Sequence, residues 1–90
     1  MKLTKVQNQE LDNCKQHIEY IERNKENAYE KLEIARDIED SKEVARLEKL
    51  YEDAKNEIAS IIKMQAQSMK MDFDLMVDLI FDREYTIANL

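Results

Sequence analysis

The chain has 90 residues with neither glycine nor proline, 38% charged and 43% hydrophobic side chains, and a formal net charge of −6. That hydrophobic share is too high for a chain held open by charge, and the missing glycine excludes phosphate-cradling loops, dinucleotide fingerprints and nucleophile elbows. A composition rich in Glu, Lys, Leu, Ile and Ala points to an all-α protein, and the acidic balance speaks against direct nucleic-acid binding, which needs a basic face to displace counterions.

The opening Met1-Lys2-Leu3-Thr4-Lys5 starts like a signal peptide but is followed by Gln, Asn and Glu instead of an apolar stretch. Thr4 is placed to cap a first helix, over about residues 4–38, whose polar first turns at Gln7, Asn8 and Gln9 form a weakly packed end. From there the seam Leu11, Cys14, Ile18, Ile21, Lys25, Ala28, Leu32, Ala35 advances in alternating steps of three and four, the signature of an amphipathic helix. Charged pairs beside it read as a solvated face.

Between Ala35 and Val44 the stripe loses phase, since continuing it would bury Glu39, Lys42 and Arg46. A restart at Asp40-Ser41-Lys42-Glu43 predicts an N-cap, with Glu43 reaching back to complete a capping box with Asp40. A second helix, about 41–68, then carries the seam Val44, Leu47, Tyr51, Ala54, Ile58, Ile61, Gln65, Ser68. Folding the chain back at Glu39 and Asp40 sets Ala35 opposite Val44, Leu32 opposite Leu47, Ala28 opposite Tyr51 and Ile21 opposite Ile58, as antiparallel coiled-coil layers require. The competing reading is one unbroken helix that pairs only with another chain.

The last stretch, a helix or continuation over about 69–84, differs in kind. Met69, Phe73, Met76 and Ile80 form one apolar stripe and Met71, Leu75 and Leu79 a neighbouring one, leaving Asp74, Asp78 and Asp82 as a narrow polar row. A helix apolar over most of its circumference must be covered on several sides. It either folds back, with a bend near Gln65–Lys70, into an intramolecular three-helix core, or buries itself against a second copy or another protein. The reading adopted is a homodimeric helical bundle whose interface comprises Met64, Met69, Phe73, Met76, Leu79 and Ile80. The tail from Glu84 to Leu90 is expected to fray.

Reactive chemistry is sparse. Cys14 and His17 lie on adjoining parts of one helical face, but without a second ligand pair Cys14 reads as a small seam residue and no metal or other cofactor is expected. With one Cys, one His and no glycine-bearing turn, no nucleophile–base arrangement emerges and an enzyme is not expected. A lone cysteine and the lack of roughly 18 uninterrupted apolar residues suit a cytoplasmic protein without a membrane span. The chain 1–90 therefore reads as a single helical domain: a non-catalytic protein–protein interaction module serving as a small adaptor, regulator or inhibitor. A structural or scaffold component of a larger assembly, for example phage-type, is the alternative. A third reading is an acidic decoy of a nucleic-acid-binding protein, with Asp72, Asp74, Asp78 and Asp82 imitating phosphates.

Overall fold

Thr4 opens the first helix with a reciprocal capping box: its Oγ1 accepts the Gln7 N–H at 3.1 Å and Gln7 Oε1 accepts the Thr4 N–H at 2.9 Å. The computed structural model describes residues 2–90, and they form four helices: α1 (Lys5–Asp37), α2 (Ser41–Ser68), α3 (Phe73–Phe81) and α4 (Arg83–Ala88). No strand occurs among the described residues. Both long helices contribute to two compact units, one running Glu19–Ala59 and the other joining α1 up to Ile18 with Ser60–Leu90.

In the Glu19–Ala59 unit, α1 and α2 pack as an antiparallel hairpin. Ala28, Leu32, Ala35 and Leu47 form one buried cluster with Val44 packed on it, which brings together the residues of the expected Leu32–Leu47 and Ala35–Val44 layers. Lys25 keeps its place in the seam because its stem lies along apolar surface while its head escapes: Nζ sits 3.2 Å from Glu22 Oε2 and 5.7 Å from the Tyr51 ring centroid. Tyr29 and Tyr51 meet across the helices with ring centroids 5.9 Å apart. Arg36 and Glu48 add an exposed pair at 3.3 Å, worth at most about 1 kcal/mol.

The hairpin turn is built without glycine. Asp40 N–H donates to Ala35 O at 3.0 Å and Glu39 N–H to Arg36 O at 3.1 Å, a Schellman motif that requires a left-handed residue, here Glu39 with φ 57°. Asp40 then caps α2, its Oδ1 accepting the Glu43 N–H at 3.2 Å. The expected return contact from Glu43 to Asp40 is absent. Glu43 turns along the helix and pairs instead with Arg46, whose guanidinium holds that carboxylate below its usual range.

The second unit contains the same device again. Met71 N–H donates to Ala66 O at 2.9 Å and Lys70 N–H to Gln67 O at 3.2 Å, with Lys70 at φ 55°. Asp72 follows as the N-cap of α3, its side chain accepting the Leu75 N–H at 3.0 Å. The chain thus turns after α2 and re-enters its own core: Met76 and Leu79 are fully buried and Ile80 nearly so, together with Leu11, Ile18, Ile62 and Ala66. A nine-residue helix is too short to persist alone, so α3 is held by this burial, about 1.5–3 kcal/mol for each large side chain.

Two expectations change here. The seam residues Ile61 and Gln65 are half-buried and Ser68 is exposed, whereas Ile62 and Ala66 carry the core. Moving one residue along a helix turns its face by about 100°, and a third helix shields that second side. The tail forms α4 instead of fraying, closed by Asn89 N–H donating to Tyr85 O and Thr86 O, each at 3.2 Å.

Both turns place a Cβ where glycine has none, at a cost of roughly 1–2 kcal/mol that glycine avoids while losing about 0.5–1 kcal/mol to its freer unfolded chain. Glu39→Gly and Lys70→Gly are each expected to stabilise the fold by up to about 1 kcal/mol in urea titrations, whereas Glu39→Val is expected to destabilise it.

Candidate protein interface

The stretch after α2 carries most of the residues that sequence reasoning assigns to contact with a partner, and the structure separates them into two groups. Met76, Leu79 and Ile80 lie inside the chain's own core. Met64 and Phe73 are exposed, at 67% and 42%, and Met69 is half-buried. Phe81, eight residues after Phe73 on the same helix, is 45% exposed, and Val77 between them is half-buried. Steps of four put these three side chains along one edge of α3, beside the buried face and continuous with it.

The acidic residues have distinct tasks. Asp72 caps α3, and Asp82 is the one-residue break between α3 and α4, with φ −145° and ψ 54°. At that break Asp82 N–H donates to Asp78 O at 2.7 Å, and Asp82 O accepts both the N–H of Thr86 at 3.0 Å and its hydroxyl at 2.7 Å. Asp74 and Asp78 remain as exposed carboxylates on α3.

Arg83 is the anchor of this region. It is the one base among five acids in residues 72–84, and its side chain is only 19% exposed. Its guanidinium donates to Asp12 Oδ1 at 2.7 Å, Asn8 Oδ1 at 3.1 Å and Asn8 O at 3.4 Å, while Nε donates to Leu79 O at 3.3 Å. From the start of α4, a planar fork can satisfy acceptors on α1 and α3 at once in this way, and a lysine cannot. The only hint in the sequence is that a lone arginine stands among carboxylates; nothing there points to Asn8 and Asp12, more than 70 residues earlier.

Cys14 is half-buried, and its thiol donates to Gln65 Oε1 at 3.4 Å. Gln65 Nε2 donates in turn to Glu10 Oε2 at 3.2 Å. Burial, assisted by the Glu10 carboxylate, pushes the thiol above its ordinary range. His17 is exposed, and among the described residues no group of three or more His, Cys, Asp or Glu is placed to hold a metal ion. Among the same residues no helix is long and apolar enough to cross a membrane.

Comparison of the chain with protein-family models, curated proteins and solved structures found no match in any of the three. The surface itself therefore carries the functional reading.

Arg83→Ala is expected to cost about 1–3 kcal/mol and to speed proteolysis within residues 73–90, with Arg83→Lys recovering only part of the loss. Cys14 is expected to react with a disulfide reagent more slowly than a free thiol at neutral pH. Its rate should rise to the free-thiol value in denaturant, because burial raises the energy of the thiolate.

Proposed function

We propose that the protein is a non-catalytic, cytoplasmic interaction module that acts by binding other proteins, as an adaptor, regulator or inhibitor, and that it pairs with a second copy of itself. The observation supporting this is the exposed edge Phe73, Val77, Phe81 of α3. Two phenylalanines held in water on a rigid helix keep their hydrophobic transfer energy in reserve, and a two-fold contact between two such edges would bury it. The neighbouring exposed Tyr85 and Leu90 enlarge the apolar area. Met69 is half-buried and Met64 exposed, which suits them to the rim of such a contact better than to its centre. The buried trio Met76, Leu79 and Ile80 supports the edge from beneath.

The decoy reading has less to draw on, because the Asp72 side chain is engaged as a cap and only Asp74 and Asp78 stand together on α3. The scaffold reading rests on helix length alone.

Sedimentation from micromolar to submillimolar concentration tests the pairing. The mass is expected to rise from one chain to two and stop there. Phe73→Asp with Phe81→Asp should remain a single chain with stability changed by less than about 1 kcal/mol, whereas Ile80→Asp should unfold the second unit. A wild-type protein that stays monomeric throughout, or a double variant that still pairs, would refute the proposed contact.

A further inference from the structure

The surplus negative charge of this protein is not spread evenly. Glu19–Ala59 holds thirteen acidic against eight basic residues, whereas the described remainder of the chain is almost balanced, at seven against six. On one side of the hairpin in that unit runs an open groove in two lobes that share Tyr29 and Tyr51. One lobe, of about 350 Å³, is bounded along α1 by Glu22, Glu26 and Glu30 and contains Lys25. The other, of about 320 Å³, has Leu32 in its floor and Arg36, Glu48 and Glu52 at its edge.

The tyrosine pair is tilted by 46°, and Tyr29 is 46% exposed, so its ring is open to contact. The Glu33 carboxylate, beside the Tyr29 hydroxyl, pushes that phenol above its usual range, and the ring stays neutral. The groove already shows which charge it favours. The Lys25 ammonium lies 5.7 Å from the Tyr51 centroid with Glu22 beside it, a cation between an aromatic face and a carboxylate. Lys25 answers Glu22, and Arg36 answers Glu48. Among the described residues Glu26, Glu30 and Glu52 have no salt-bridge partner.

From Glu22 to Arg36 the groove follows α1 for about 21 Å at 1.5 Å per residue, the length of a four-turn helix. A hairpin flank of this kind receives a third helix readily, because two helices side by side leave a trough between their ridges.

We infer that this groove docks a basic amphipathic helix of a partner protein, its apolar side on the tyrosine rings and its lysines or arginines toward Glu26, Glu30 and Glu52. The inference rests on the reading of the protein as a binding module but uses a surface separate from the α3 edge, so the two stand or fall by different measurements.

The test uses the full chain and a labelled four-turn designed peptide with leucines on one side and lysines and arginines on the other, followed by fluorescence anisotropy. Binding is expected for this peptide and not for its Glu/Leu counterpart, and affinity should fall about tenfold or more between 50 and 300 mM salt. Glu26→Gln with Glu30→Gln should weaken binding by about five- to tenfold. Asp53→Asn with Glu57→Gln, which removes the same charge outside the groove, should weaken it by less than about twofold. Tyr29→Ala should weaken it about threefold or more through loss of the ring face. Amide shifts should map to residues 22–36 and 48–52. No binding, equal losses from the two charge-removing pairs, or shifts centred on Phe73–Phe81 would overturn the groove assignment. Self-association unchanged by saturating peptide is expected of two separate surfaces, and its loss on adding peptide would overturn the groove assignment, while the α3 reading is decided by sedimentation without peptide.

Discussion

The register between α1 and α2 is set at one short turn, and nearly everything else follows from it. Ala35 is at once a core residue, 3% exposed, and the carbonyl that accepts from Asp40 to end α1. Asp40 then begins α2 by accepting the Glu43 N–H. A single residue more or less in that turn would rotate α2 by about 100° and separate Leu32 from Leu47. With no glycine available, the left-handed position falls to Glu39, which adopts it because the flanking hydrogen bonds and the packing behind them outweigh the local strain.

The second unit repeats the arrangement with a different result. Lys70 takes the left-handed position and Asp72 starts α3, but the helix launched there has nine residues and almost no polar side. Its stability is tertiary: Met76, Leu79 and Ile80 lie away from water, and Arg83 ties the segment to α1 through Asn8 and Asp12. The burden of covering an apolar helix is met partly within the chain, which leaves one edge, Phe73 to Phe81, still open.

The two units therefore offer different surfaces. One presents aromatic apolar side chains on a short helix, the other an acidic groove with a tyrosine floor. Cys14, in the unit that contains α3, is a half-buried thiol whose ionisation is opposed by burial and by Glu10.

Periodicity alone determines much of this protein. The seam from Leu11 to Ala35, the restart at Asp40 and the layers Leu32–Leu47 and Ala35–Val44 are readable because heptad phase is local information that any antiparallel partner must satisfy. The excess of apolar residues after Met64 is equally readable, but where it goes is not. Met76 and Phe73 are three residues apart on what looks like one stripe, yet one is fully buried and the other 42% exposed. The lost seam marks a bend near Gln65–Lys70, where Lys70 does turn the chain, but which residues are buried depends on how α3 leans on its neighbours beyond that turn. The shift of the α2 core to Ile62 and Ala66, the clamp of Arg83 on Asn8 and Asp12, and the placing of Tyr29 against Tyr51 are likewise products of tertiary contact. Spacing along a helix says which residues share a face, and only the packed chain decides which faces meet.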